Sequence, residues 1–339
     1  MRSTIRNVAE EAGVSRTTVS MVLRGIHGHT TPETRARVLE AASRLDYMPV
    51  SPPTSQNRPI DTRIVTLVPS YHDMKTNGLD MFTYQGIVSS ARDHGYSVLT
   101  LIGHETHRHS VEDKKRYLDR HSDGFIFVAP NQGDWDQALE LVSKQAIPAV
   151  ICYGRHSPSG IPFIDVDNES AMFGAVDHLV QAGHRRIAYL GRTTENSNEV
   201  ERRSSWSRSM REHGLDGDDR FIVQIPGSKH PGNEAKLASL LALGVTAVVC
   251  FNDEFALMLW AYIEAHGLKV PQDISIIGID NTAEGMHRGL TSISHSFNEV
   301  GRLAMETWVE LKNGGDADSA SKLTPVELKS RTSVRFLET

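Results

Sequence analysis

Apolar residues recur along this chain with two different periods. Over the first fifty positions they fall three or four apart: Ile5, Val8, Ala9 and Ala12, then Val19, Val22 and Leu23, then Val38, Ala41, Ala42 and Leu45. Each set marks one face of a helix. From Arg63 onward, short unbroken apolar runs alternate with longer amphipathic stretches. Strands are expected at Ile64–Val68, Tyr96–Ile102, Gly124–Ala129, Ala149–Tyr153, Phe163–Val166, Ile187–Leu190, Phe221–Ile225, Ala247–Phe251, Ile274–Ile279 and Ser292–Ser296. Helices are expected between most of them, for example Met81–His94, Ser170–Ala182 and Asp253–His266. Such alternation builds parallel sheets covered on both faces. Divided near residue 162, the ten strands give an α/β core of two doubly wound lobes, with a small-ligand cleft expected between them at the carboxyl ends of the strands.

The opening unit has its own punctuation. Thr4 is placed to cap the first helix, and Gly13 suits a left-handed turn after it. Ser15 is a second N-cap, with Val14 and Val19 as a hydrophobic staple across it. On the helix from Arg16, residues Thr18, Val19, Val22 and Leu23 fall on one side and Arg16, Thr17, Ser20 and Met21 on the other. The first set can form a small core. The second offers short polar groups, an arginine and a methionine, which suits base edges and phosphates in a major groove. Thr31 caps a third helix whose first residue is Pro32. Two helices about a tight glycine turn, braced by a third, make a helix-turn-helix unit; a helical hairpin used only for packing or dimerisation is the competing reading.

Charge sharpens this picture. The chain of 339 residues has a formal net charge of −6. Residues 1–60 hold eight Lys/Arg against five Asp/Glu, so the remainder carries the acidic excess. A basic head on an acidic body suits a module that meets phosphate. No apolar run is long enough to span a bilayer and the N-terminus lacks a signal-peptide pattern, so a cytoplasmic location is expected. Cys152 and Cys250 lie in strand-like runs and read as buried thiols. His104, His107 and His109 read as a solvated loop rather than a metal site. No nucleotide-binding glycine loop follows a strand, and no nucleophile–base set stands at recognisable spacing. No catalytic site, metal or cofactor is expected.

The stretches "TIRNVAEEAGVSRTTVSMVL" (4–23) and "TPETRARVLEAASRLDYMP" (31–49) closely resemble the headpiece of the lactose/galactose-repressor (LacI/GalR) family of bacterial transcription regulators. The resemblance continues through "IDVDNESAMFGAVDHLVQAGHRRIAYLG" (164–191), "FNDEFALMLWAYIEAHGLKVPQDISIIGIDN" (251–281), "LTSI" (290–293) and "LKSRTSV" (328–334). It implies a helix-turn-helix DNA-binding domain at 1–48, a hinge or linker at 49–61 and a periplasmic-binding-protein-like core at 62–339. Lobe 1 is expected to span about 62–162 and 295–323, and lobe 2 about 163–294 and 324–339, the chain crossing three times. It further implies a homodimer on a pseudo-palindromic double-stranded operator, most simply as a repressor controlled by a small effector. No leucine heptads follow the last strand, so a tetramer is not expected.

Site residues carry over position by position. Arg16, Thr17 and Met21 stand where the family reads bases, Ser20, Arg24 and Thr31 are expected to position phosphates, and the capping residues Thr4 and Ser15 complete the expected DNA-binding set on the headpiece. The linker departs from the pattern: Val50 replaces the usual Asn, and Gln56 stands where a leucine wedges into the minor groove. A hinge helix over 51–57 and an extended proline-stiffened linker are both open. Gln56 supplies no apolar wedge, so weaker operator bending than the family norm is expected. In the cleft, Arg202, Asn252 and Asp280 match the residues that hold sugar hydroxyls, by directional charge-assisted bonds; a cap or inter-strand role is the alternative for each. Ser70, Leu79, Asp80, Tyr153 and His295 complete the expected effector set, with Asp80 as a hydroxyl acceptor and Tyr153 as a stacking face. A sugar or sugar derivative is the leading effector class, with a nucleobase, another small molecule or a protein partner as alternatives, and activation as the alternative to repression.

Overall fold

The computed structural model describes residues 4–23, 30–45, 47, 61–69, 80–101, 121–128, 136–155, 160–194 and 196–337. Helices α1 (Ile5–Ala12), α2 (Arg16–Leu23) and α3 (Pro32–Arg44) form the N-terminal unit. Thr4 closes a reciprocal capping box with Asn7, and Thr31 caps α3 through the Thr34 N–H. Ser15 Oγ accepts from the Thr18 N–H at 3.1 Å. Gly13 ends α1 in the left-handed conformation, φ 63°, as the turn requires. Val8, Val19 and Val38, one from each helix, meet in a fully buried core with Ala9, Ala12, Val22, Ala41 and Ala42 around them. That core is small, so caps worth about 0.5–2 kcal/mol each are a large share of its stability.

The remainder folds as two six-stranded sheets. The first contains β1 (Ile64–Pro69), β2 (Ser97–Thr100), β3 (Phe125–Val128), β4 (Ala149–Cys152), β5 (Phe163–Val166) and β11 (Lys322–Thr324), in the order β11-β5-β4-β3-β1-β2, all parallel. The second contains β6 (Ile187–Arg192), β7 (Ile222–Ile225), β8 (Ala247–Cys250), β9 (Ser275–Ile279), β10 (Thr291–Ser294) and β12 (Glu327–Lys329), in the order β12-β10-β9-β8-β6-β7. Helices α4 (Asp80–Asp93), α5 (Asp136–Lys144) and α11 (Phe297–Lys312) belong to the first lobe. Helices α6 (Asn168–Gln181), α7 (Ser197–Glu212), α8 (Asn233–Ala242), α9 (Asp253–Ala265) and α10 (Ala283–Arg288) belong to the second. Apolar side chains pack on both faces of each sheet, as buried parallel strands require.

The chain crosses between the lobes three times: at Asp167 between β5 and α6, at His295–Ser296 between β10 and α11, and between β11 and β12. A division near residue 162 therefore falls one strand too early. β5 pairs with β4 on one side and β11 on the other, so it belongs to the first lobe. The ten-strand reading also omits β11 and β12, three residues each and too polar to register as apolar runs. β12 runs antiparallel to β10, the one departure from parallel pairing among the described strands. Phe221 ends a short 3-10 turn rather than opening β7.

The returning helix α11 is clamped to α4 at two glycines. A Cβ on Gly86 would lie 2.0 Å from the Asn298 carbonyl oxygen, and one on Gly301 2.0 Å from that of Thr83. Only glycine permits this approach, which seats α11 in the first lobe immediately after the crossover.

Candidate functional site

Two constellations stand out, one on the N-terminal unit and one where the lobes meet. On α2, Val19 and Val22 are buried while Arg16 and Thr17 are exposed and Ser20 and Met21 half-exposed. The helix thus turns to solvent the face on which the sequence placed its base readers, starting at its N-terminus, where backbone N–H groups favour phosphate. Arg16, Gly13, Ser15 and the Arg6–Glu10 ion pair, 2.8 Å between Nε and Oε1, line an open depression between α1 and the start of α2. Thr4, Ser15 and Thr31 each spend side-chain oxygens as caps, which fixes the helix starts. Arg24 and Gln56, with the 51–57 hinge, lie outside the described residues, as do Ser70, Leu79 and the segment holding His104, His107 and His109.

At the lobe junction, every described cleft candidate except Arg202 and Asp80 follows the carboxyl end of a strand. Tyr153 follows β4, Asn252 lies two residues beyond β8, Asp280 follows β9 and His295 follows β10. Three of the five non-glycine residues with positive φ among those described are here: Tyr153 at 62°, Asp280 at 103° and Asn281 at 52°. Such conformations cost about 1–3 kcal/mol each and cluster at working sites. Asp80 opens α4, and its side chain is not among those described.

Arg202, on α7, is 4% exposed. Its Nε donates to Asn168 Oδ1 at 2.7 Å and one Nη to the Phe251 carbonyl at 2.7 Å, with the guanidinium 4.9 Å from the Phe251 ring centre. Asn252 caps α9, its Oδ1 accepting from the Phe255 N–H at 3.0 Å, so the cap role holds, and its amide nitrogen is the donor it can offer a ligand. Asp280 Oδ1 lies 3.3 Å from His295 Nε2. The His295 ring is 1% exposed, its Nδ1 has no hydrogen-bond partner, and it packs 4.1 Å from the Phe297 ring. Phe297 in turn lies 6.2 Å from Tyr153, whose hydroxyl bonds Thr83 of α4 at 2.8 Å. Asp280, His295, Phe297 and Tyr153 therefore run as one chain across the junction, while Arg202 bonds the carbonyl of Phe251, the residue before Asn252.

Sequence reading missed the group that holds this end of the second lobe together. Asp253 is fully buried. Its carboxylate accepts from the Thr282 N–H at 2.7 Å, from Thr282 Oγ1 at 3.0 Å and from Ser292 Oγ at 2.6 Å. It ties the start of α9 to the loop carrying Asp280 and to β10. Burial, and then the neighbouring Asp280 charge, push its pKa up to about 7. Nothing in "FND" distinguishes this third residue as buried; its role exists only once three segments meet.

Residues 4–50 match the family described as bacterial regulatory proteins, lacI family, and residues 176–334 a periplasmic binding protein-like domain. The HTH-type transcriptional repressor CytR of Escherichia coli (strain K12) is 30% identical over 343 residues, covering 99% of this chain and 97% of that protein. A transcriptional regulator CelR–cellobiose complex superposes with a TM-score of 0.72 at 24% identity, covering 98% of this chain and all of that one. A lac repressor dimer bound to operator and the anti-inducer ONPF gives 0.68 at 23% identity, covering 99% of this chain and all of that one. Among the described residues no helix is long and apolar enough to cross a membrane.

Proposed function

The chain belongs to the lacI family of bacterial regulatory proteins, and from that premise we propose how this DNA-binding transcription regulator works. It acts as a homodimeric repressor whose two α2 helices enter successive major grooves of a pseudo-palindromic operator, about 34–36 Å apart. Arg16 reads a guanine, Thr17 and Met21 meet thymine methyls, and Ser20 positions the backbone. The observation that carries this reading is the two-faced α2: Val19 and Val22 locked in the core, Arg16 and Thr17 turned outward from a capped N-terminus. Met81, Phe82 and Val88, each more than half exposed on α4, supply apolar surface for the dimer contact.

The effector occupies the junction between the lobes. Arg202 and the Asn252 amide donate to it, Asp280 accepts from it, and Tyr153 and Phe297 give it an apolar wall. Alternating donors and acceptors beside aromatic rings suit a polyhydroxylated ring, so a sugar is the class we propose. The CelR structure, solved with cellobiose, supports a carbohydrate in this fold. Differential affinity of effector for the lobe arrangements couples to operator binding by about 1–3 kcal/mol in both directions.

Selection from random palindromic duplexes at physiological salt tests the first part. A recovered consensus is expected, with Arg16→Ala relaxing preference at one symmetric pair of positions by roughly 1–3 kcal/mol. Equal weakening on every duplex would make Arg16 a phosphate contact, and no consensus would end the regulator reading. A thermal-shift screen against mono- and disaccharides tests the second part, since a cleft ligand raises the melting temperature by mass action. A stabilising sugar whose effect is lost in Asp280→Asn is expected; nucleosides stabilising where sugars do not would overturn the effector class.

A further inference from the structure

We propose that Glu201 and Arg155 are positioning residues that join the Arg202 guanidinium to the opposite lobe, so that one hydrogen-bonded chain sets both the ligand-side arginine and the angle between the lobes. The inference rests on the reading of Arg202 as an effector contact and names residues that would carry its signal.

Glu201 and Arg202 are consecutive on α7 and face different neighbours. The Glu201 carboxylate is divided between the lobes. Oε2 accepts from Asn168 Nδ2 at 3.0 Å within the second lobe, while Oε1 lies 3.1 Å from Arg155 Nη1, on the segment that follows β4 of the first. Asn168, fully buried at the start of α6, is held in one orientation by these partners. Its Nδ2 donates to Glu201 and, at 3.0 Å, to Asn198 Oδ1, so its Oδ1 must face Arg202 Nε. A flipped amide would set its N–H groups against a guanidinium and its carbonyl against a carboxylate. The charge on Glu201 therefore orients Asn168, and Asn168 orients Arg202.

The far end of the chain is anchored at the crossover itself. Arg155 Nη2 donates to the carbonyl of Val166 at 2.7 Å, the last residue of β5 before the chain enters the second lobe. Its Nε faces Asp165 Oδ2 at 3.8 Å, and both of these buried atoms lack a hydrogen-bond partner. The Arg155 and Glu201 side chains are 18% and 17% exposed. A pair this sheltered is screened little by salt, and losing Glu201 leaves Arg155 only the longer approach to Asp165. Opening the lobes must separate Arg155 from Glu201 and so loosen Asn168 and Arg202. Conversely, a ligand that holds Arg202 in place favours the joined arrangement.

The test uses the full chain with neither operator nor effector. Nitroxide labels at Lys144→Cys on α5 and Lys236→Cys on α8, both exposed positions, report the interlobe distance by pulsed dipolar spectroscopy, Cys152 and Cys250 being buried. Arginine Nε–H signals, assigned with Arg202→Lys, report the Arg202–Asn168 bond. Arg155→Met and Glu201→Ala are each expected to shift or broaden the distance distribution, and the double variant to do no more than either single change, because both cut one link. Glu201→Ala is also expected to erase the Arg202 Nε–H signal. The isosteric Glu201→Gln keeps an oxygen for Asn168, so it is expected to retain that signal while still altering the interlobe distance. Unchanged distributions in folded Arg155→Met and Glu201→Gln, additive single changes, or an Arg202 signal that survives Glu201→Ala would overturn the link. Such a result leaves the effector reading intact, because that reading fails only through the thermal-shift screen, and the regulator reading only through absent operator selection.

Discussion

Replacing Asp253 by asparagine should flatten the pH dependence of stability in the second lobe. The folded carboxyl holds its proton to about pH 7, against an ordinary value of 3.8, because burial and then the Asp280 charge disfavour ionisation. The unfolded chain releases that proton near its ordinary value. Between the two, the folded state binds more protons, so stability present below about pH 4 is lost as pH rises through 7. Three pH units at 1.36 kcal/mol each make that loss about 4 kcal/mol, an upper figure for one group. Asparagine fits the same bonds: its oxygen accepts from the Thr282 N–H and hydroxyl, and its amide donates to Ser292 Oγ, whose hydroxyl turns to accept. Urea unfolding followed through Trp206 and Trp260 of the second lobe, at pH 4.5 and pH 8, gives the comparison. Asp165 and Glu199, both also raised to about 7 chiefly by burial, shift wild type and variant alike. The difference between the proteins therefore isolates Asp253. Parallel losses in the two would show that Asp253 is ionised in the folded state at little cost, and the reasoning would fail.

Two further perturbations probe other parts of the frame. Gly301→Ala should destabilise the first lobe by about 1–3 kcal/mol or more, since a methyl 2.0 Å from the Thr83 carbonyl oxygen forces α4 and α11 apart; an unchanged urea midpoint would contradict the close packing. His184 is buried, bonded to Thr246 Oγ1 at 2.8 Å and to the Arg335 carbonyl at 3.1 Å, and burial pushes its pKa down to about 4. Here the sign reverses. The unfolded ring takes a proton first, so stability held above pH 6.5 falls by about 3 kcal/mol on acidification to 4, and His184→Gln should remove that acid limb from a melting-temperature profile.

Much of this arrangement was legible along the chain because its causes are local. Thr4, Gly13, Ser15 and Thr31 announce helix ends by side-chain chemistry that needs no partner beyond the next turn, and α2 shows the two faces that its apolar spacing predicts. The long apolar strands were equally plain. What escaped depends on segments distant in sequence. β5 reads as an apolar run of either lobe until its pairing with β4 and β11 is known. Asn252 and Asp253 are adjacent and similar in polarity, yet one caps a helix at a half-exposed strand end while the other is fully buried beneath Thr282 and Ser292. Arg155, Asn168 and Glu201 lie on three elements of two lobes, and no spacing rule connects them.

The three crossings also limit how the lobes can move. One residue separates β5 from α6, and two separate β10 from α11 and β11 from β12, so relative motion of the lobes is confined to a few backbone torsions. His295 sits in one of these crossings and contacts Asp280, which ties the loop after β9 to the hinge itself. At the other end of the first lobe, the chain enters from the N-terminal unit through Thr62 and Arg63. The Thr62 N–H and hydroxyl both donate to Asp123 Oδ1 at 2.8 Å, the Arg63 N–H donates to Asp123 Oδ2 at 3.2 Å, and Lys312 of α11 pairs with the same carboxylate. Burial opposes the charge on Asp123, yet the bonds from Lys312 and Thr62 outweigh it and hold the pKa below the ordinary value. The entering chain is therefore fixed to the helix that returns from the hinge.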